Sequence, residues 1–283
     1  MIPSSFAYHK PSTVDEAIQM LQDAGEDAKL LAGGHSLIPA MKLRMNSPSA
    51  LIDLRGISGL RYIRQEGNAI AIGAASTHHD IIDSNLVQSH LAMMVQAGSQ
   101  IGDIQVRNMG TIGGSIAHAD PAADWPACLI AADASIEMKG PNGTRTVAAE
   151  DFFLGLYYTA LEEGEIITEV KIPIPAPGTK SSYVKFHQPA SRFAIVGCAV
   201  MMKSSGGTCQ SIRVGFTGVS DMAFRDTDLE DAIRGKELSA ANVEAASQVA
   251  AAGKDILGDH FASTDYRLHL ARVFAARAIH AAS

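Results

Sequence analysis

Cysteine is scarce in this chain. The 283 residues contain three, Cys128, Cys198 and Cys209, with no CxxC pair and no Cys/His cluster at metal-ligand spacing. So sparse and odd a set fits a reducing compartment better than a disulfide-stapled secreted scaffold. No apolar stretch approaches the roughly 20 residues of a membrane span. The start, Met1-Ile2-Pro3-Ser4-Ser5-Phe6, has neither the basic nor the apolar region of a secretion signal. A cytoplasmic protein without a membrane span is expected. Basic charge is also short: 23 Lys and Arg against 30 Asp and Glu give a formal net charge of −7. Without a basic block, nucleic acid and anionic membranes are poor partners. No GxGxxG follows a strand and no GxxxxGK[S/T] occurs, which disfavours a nicotinamide-type Rossmann site and a P-loop NTPase.

Apolar residues are plentiful at 47%, with 19% charged, so the chain can bury a sizeable core. At about 150 residues per domain its length suggests two domains. Thr13 and Glu16 form a capping box ahead of Val14, Ala17, Ile18 and Leu21, which predicts a first helix ending near Gly25. Strands are expected at 28–32, 50–54 and 69–73, and helices at 37–45, 77–83 and 86–97. Residues 99–124 read as a loop, and a loop of that length in a compact domain is more often functional than idle. A helix at 127–132 follows Pro126. A hairpin (134–139 and 144–148) turns at Pro141-Asn142-Gly143, and a strand covers 165–172. Three prolines and a glycine in 173–178 suggest a domain boundary. Beyond it, strands at 181–187, 195–203 and 211–217 suggest an antiparallel meander, and helices are expected at 229–234, 240–252 and 265–282.

Two segments carry the chemistry: Ala32-Gly33-Gly34-His35-Ser36 and Thr111-Ile112-Gly113-Gly114-Ser115. Glycine has no Cβ, so its N–H can approach a bulky anion and its φ can be positive. Successive N–H groups in such a turn form an anion-binding nest, to which Ser and Thr hydroxyls add donors. Two converging segments can hold a pyrophosphate. A Gly-Gly pair is equally compatible with a plain tight turn, since glycine makes up 25 of the 283 residues.

In their settings the two segments read Lys29-Leu30-Leu31-Ala32-Gly33-Gly34-His35-Ser36-Leu37 and Arg107-Asn108-Met109-Gly110-Thr111-Ile112-Gly113-Gly114-Ser115-Ile116-Ala117-His118-Ala119-Asp120-Pro121-Ala122-Ala123-Asp124. They resemble the two flavin motifs of the FAD-binding medium subunits of molybdenum hydroxylases. This is the family of the carbon monoxide dehydrogenase medium chain and the xanthine dehydrogenase FAD-binding subunit. The resemblance extends to the Phe6-x-Tyr8-x-x-Pro11 start, to Gly164-Glu165-Ile166-Ile167 and to Tyr183-x-Lys185. It implies an α+β fold: a two-subdomain FAD-binding domain of the vanillyl-alcohol-oxidase (PCMH) type at 1–177, with subdomains of about 1–55 and 56–177. A C-terminal domain at 178–283 follows, a three-stranded antiparallel sheet plus a helical bundle.

The resemblance also implies roles. Leu31, Ala32, Gly33, Gly34, His35 and Ser36, with Thr111, Ile112, Gly113, Gly114 and Ser115, would hold the FAD pyrophosphate, and Gly110 and Ala117 would line the same groove. Asp124 would accept hydroxyl hydrogen bonds near the sugar–adenine portion. Ile166 or Ile167 would lie against the isoalloxazine, and Lys185 would approach the ring edge and tune its potential. Phe193 stands where the family commonly has Tyr, and His35 where it often has Gln. The implied function is that of an FAD-carrying electron-transfer subunit. Electrons would come from two [2Fe–2S] clusters on a small partner subunit and go to a quinone, NAD or oxygen. The molybdenum cofactor would reside on a large subunit, and the assembly would be a dimer of heterotrimers. Alternatives are a free-standing FAD oxidoreductase, for which no general base stands out, and an assembly module that has lost its flavin.

Other residues have plainer readings. His78 and His79, adjacent on a helix, face apart and suit surface or capping positions. His118-x-Asp120 suits structural hydrogen bonding. Ser182-x-x-Lys185 matches SxxK without its companion motifs. Cys128, Met93-Met94 and Met201-Met202 suit core filling, and Trp125 suits packing or an interface.

Overall fold

The protein is described by a computed structural model covering residues 2–283. Its first layer is a small parallel sheet of β1 (Ala7–His9), β2 (Lys29–Leu31) and β3 (Ala50–Asp53), in the order β1-β3-β2. Helix α1 (Val14–Ala24) links β1 to β2, and α2 (Leu37–Lys42) links β2 to β3. The Thr13 hydroxyl accepts the Glu16 N–H at 3.1 Å, while the Glu16 carboxylate takes the Ser12 N–H at 2.7 Å. The cap thus reaches one residue further upstream than a standard capping box. Ala17 and Ile18 turn inward against Ile52 and Leu54.

The second layer is an antiparallel sheet of five strands. They are β4 (Ile63–Glu66), β5 (Ala69–Gly73), β6 (Ser135–Gly140) and β7 (Gly143–Ala148), with β10 (Ile166–Pro173) inserted centrally to give β4-β5-β10-β6-β7. A two-strand ribbon, β8 (Phe153–Gly155) and β9 (Tyr158–Thr159), follows the single-turn helix α9 (Ala149–Phe152). Between β5 and β6 run six helices: α3 (His78–Asp83), α4 (Asn85–His90), α5 (Ala92–Ser99), α6 (Ile104–Met109), α7 (Ile112–His118) and α8 (Asp124–Ala131). All eight residues of α8 are buried, so it is a core helix, apolar on all sides beyond its first residue, Asp124.

The chain then forms a second antiparallel sheet, β11 (Thr179–His187), β12 (Ala194–Ser205), β13 (Thr208–Thr217) and the two-residue β14 (Phe224–Arg225). β14 adds a fourth strand to the expected three. One face of this sheet packs on α5 and α8. The other is covered by α10 (Thr227–Ile233), α11 (Ala240–Ser247) and the long α12 (Thr264–Ala281). The first seven residues of β12 are buried without alternation because both its faces are covered. No helix among the described residues is long and apolar enough to cross a membrane.

The stretch 99–124, expected to be a loop, contains α6 and α7. Asp103 caps α6 by accepting the Val106 N–H at 2.9 Å, and Thr111 caps α7 by accepting the Gly114 N–H at 3.1 Å. The glycines concealed a helical turn whose start signal is Thr111 itself. The expected helix 86–97 breaks at Leu91, whose φ of −132° and ψ of 62° are not helical. The helix expected at 240–252 ends as α11 at Ser247.

Candidate functional site

A cleft of about 550 Å³ opens where the two sheets of the N-terminal part meet. It falls within the roughly 300–1,000 Å³ range of small-molecule sites. Leu31, Ala32, Gly33, Gly34, His35 and Ser36 line one side, and Gly110, Thr111, Gly113, Gly114, Ser115 and Ala117 line the other. Asp124, Ile166, Ile167 and Phe193 close its ends. Two of the expected residues are not on its surface. Ile112 is fully buried in the core, and Lys185 reaches the cleft only through Asp124.

The two Gly-Gly segments differ in what they offer. In the first, which leaves β2 and enters α2, the N–H groups of Gly33, Gly34, His35 and Ser36 have no acceptor among the described residues. Gly34 has φ +73°, a conformation in which glycine is favoured. In the second, every amide from 112 to 115 is engaged. Ile112 N–H bonds Ser76 O, Gly113 N–H bonds Ala74 O, Gly114 N–H bonds the Thr111 hydroxyl and Ser115 N–H bonds Thr111 O. The expectation of two equivalent amide nests is therefore corrected. The first segment supplies free amides. The second supplies a wall and the Thr111 and Ser115 hydroxyls, because its own N–H groups close the first turn of α7 and tie it to the turn after β5.

The glycines also serve packing between the segments. A Cβ on Gly33 would overlap the Met109 carbonyl and lie 2.6 Å from Gly110 Cα. One on Gly113 would lie 2.6 Å from Ala74 Cβ. The bare Gly33 lets the first segment meet Met109 and Gly110, and the bare Gly113 lets the second sit on Ala74. The cradle fits a diphosphate-bearing cofactor: uncommitted backbone donors lie on one side and hydroxyls on the other.

Asp124 begins α8 at the inner end of the cleft. Its carboxylate accepts the Lys185 ammonium at 2.7 Å and the Tyr183 hydroxyl at 2.5 Å. Lys185 also donates to Gln100 O at 3.1 Å. Burial pushes the Asp124 carboxyl up, and the charge and hydrogen bond of Lys185 pull it back. The segment leading into Asp124 is held by the C-terminal sheet: Gly218 N–H bonds Pro121 O at 2.6 Å and Ala194 N–H bonds Ala122 O at 3.2 Å. The Thr217 hydroxyl lies 2.7 Å from both Pro121 O and Ala123 O.

His78 departs from its surface reading. Thr77 caps α3, and His78, the first helical residue, turns its ring inward to line the cleft, 5% exposed. His79 faces solvent. Trp125, fully buried, donates its indole N–H to His78 Nδ1 at 2.9 Å. The adjacent pair His78-His79 gave no sequence signal for which ring turns inward. Arg192 and Ser191, in the turn between β11 and β12, also line the cleft and were not anticipated. Ser182 donates to Ala278 O at 2.6 Å, a structural role. Cys128, Cys198 and Cys209 are buried and unpaired with one another.

Comparison with known proteins bears on this arrangement. Residues 4–175 match the family model described as the FAD binding domain in molybdopterin dehydrogenase, and residues 181–282 match the CO dehydrogenase flavoprotein C-terminal domain. The chain is 44% identical to the carbon monoxide dehydrogenase medium chain of Hydrogenophaga pseudoflava, covering 100% of this chain and 98% of that one. It is 35% identical to the glyceraldehyde dehydrogenase medium chain of Sulfolobus acidocaldarius, with 98% of each covered. A solved structure of carbon monoxide dehydrogenase from Hydrogenophaga pseudoflava, one lacking the Mo-pyranopterin moiety of its cofactor, superposes with a TM-score of 0.96. That chain is 46% identical, with 100% of this chain and 98% of that one covered.

Proposed function

The chain belongs to the family of FAD-binding medium subunits of molybdenum hydroxylases, and from that premise we propose that it is the flavin-bearing electron-transfer subunit of such a complex. In this reading it receives electrons from [2Fe–2S] clusters on a small partner subunit, releases them to an external acceptor (a quinone, NAD or oxygen), and assembles with a large molybdenum-cofactor subunit as a dimer of heterotrimers. FAD, when bound, supplies reversible electron storage between these two transfers. The reaction is then an oxidoreduction completed on partner chains. The relatives' names span carbon monoxide and glyceraldehyde, so the substrate class is set on those partners.

The residues of this chain have three tasks. The free amides of Gly33, Gly34, His35 and Ser36, with the hydroxyls of Thr111 and Ser115, hold the diphosphate; Leu31, Ala32, Gly110, Gly113, Gly114 and Ala117 shape the groove around it. Ile166 and Ile167, both buried at the cleft edge, present an apolar wall to the isoalloxazine. Asp124 accepts hydroxyl hydrogen bonds, and Lys185, through its 2.7 Å contact with Asp124, fixes the orientation of that carboxyl group at the inner end of the cleft.

The observation carrying this reading is the meeting of the two Gly-Gly segments at Gly33 and Gly110 around one cleft that holds uncommitted amides. The test is the complex carrying Gly33→Ala. The added methyl has to displace the Met109 carbonyl and part the walls, so FAD content should fall at least tenfold. Acceptor reduction should fall in proportion, while substrate still reduces the partner's clusters. Acceptor reduction at the wild-type rate in a flavin-depleted complex would refute the proposal.

A further inference from the structure

We infer that His78 is a neutral hydrogen-bond donor to the diphosphate bridge of FAD, fixed in its Nε2–H form by Trp125. The inference rests on the reading above, in which the diphosphate lies along Gly33–Ser36. Four observations carry it. First, an indole nitrogen can only donate, so the 2.9 Å contact from Trp125 Nε1 makes His78 Nδ1 an acceptor. The proton of the neutral ring must then sit on Nε2. Second, Nε2 has no hydrogen-bond partner among the described residues, although the residue is 5% exposed and lines the cleft. The ring is buried but Nε2 itself opens to the cleft, so the donor is left for whatever occupies that space. Third, Nε2 lies against Gly110. A Cβ there would be 2.6 Å from it, and Gly110 is in turn packed against Gly33. The donor therefore stands beside the junction of the two glycine segments, on the cleft lining. Fourth, His35 and Arg107 stand close enough to disfavour a further positive charge on the ring. The surroundings thus combine three nitrogen-bearing side chains with four uncommitted amides, a setting for an anion. Burial holds the imidazole down at about 4, so the donor is a neutral N–H at working pH and its contribution does not depend on protonation of the ring.

Direct evidence comes from the wild-type chain. In a 15N-histidine-labelled sample, the resonance absent from His78→Gln identifies the ring. It should show a protonated Nε2 in the apoprotein and shift on addition of FAD or ADP, which share the diphosphate. It should not shift on addition of riboflavin, which has none. Trp125 is the sole tryptophan of the chain, so its fluorescence should report the same titration. His78→Phe, which keeps ring volume without the N–H, should weaken FAD and ADP binding about tenfold or more and leave riboflavin binding unchanged. His78→Gln, whose amide nitrogen can reach the Nε2 position, should recover part of the loss. An Nε2 resonance indifferent to ADP, or equal loss of ADP and riboflavin binding in His78→Phe, would overturn the inference. Failure of ADP and FAD to bind the wild-type chain at all would instead sink the underlying cofactor assignment.

Discussion

His78 shows how much one side chain changes when a cap turns it inward. In the unfolded chain its ring takes a proton near 6.5, but in the fold only at about 4. Between those values the unfolded state binds more protons, so the ring's contribution is complete above pH 6.5 and is lost as pH falls toward 4. His35 and Arg107 face the ring and add to the depression. Over the whole window the loss attributable to this ring is roughly 3 kcal/mol. Urea midpoints measured between pH 7 and pH 4.5 should therefore fall more steeply for the wild type than for His78→Gln. Parallel slopes would mean that the ring titrates normally. Nothing at the sequence level marked this residue, because a His-His pair after a capping Thr looks the same whether the first ring points in or out. Its inward turn is decided by Trp125, 47 residues later.

At the scale of elements, the regular parts were legible where one force dominates. Strands β2, β3 and β5 and helix α1 follow from apolar periodicity and caps. The region 99–124 was not, because glycine at 113 and 114 lowers helix propensity by about 1 kcal/mol each. Tertiary bonds from Ala74 and Ser76 hold that turn in place regardless. The candidate cleft residues were legible as types, yet the unequal roles of the two segments were not, since bonded and free amides look identical in a sequence. Helix α8 makes a further prediction. It lies so close to β13 that a Cβ on Gly215 would overlap the Ala127 carbonyl. Backbone cannot yield as a flexible side chain can, so Gly215→Ala should cost roughly 1–3 kcal/mol by overpacking. Gly59→Ala, with nothing within 4 Å of the new carbon, is the control. Equal urea midpoints for the two variants would contradict the packing described.

At the scale of the whole molecule, the cleft lies between sheets that share few other close backbone contacts. A ligand gripping both walls favours only the closed, folded arrangement. FAD at 100 times its dissociation constant should stabilise the chain by about 2.7 kcal/mol, or about 5 °C in melting temperature for a protein of this size. A calorimetric scan of apoprotein with and without FAD measures this directly, and an unchanged melting temperature would mean that FAD does not bind the folded chain. The contact of Gly33 with Gly110 also has a bearing on biosynthesis. The two residues are 110 − 33 = 77 positions apart, and closing such a span is a late, entropically expensive event. A nascent chain therefore leaves the ribosome with half a binding groove for many seconds of translation. Flavin loading has to await the arrival of the sixth and seventh helices, which makes cofactor capture a natural checkpoint on maturation of this subunit before it meets other chains.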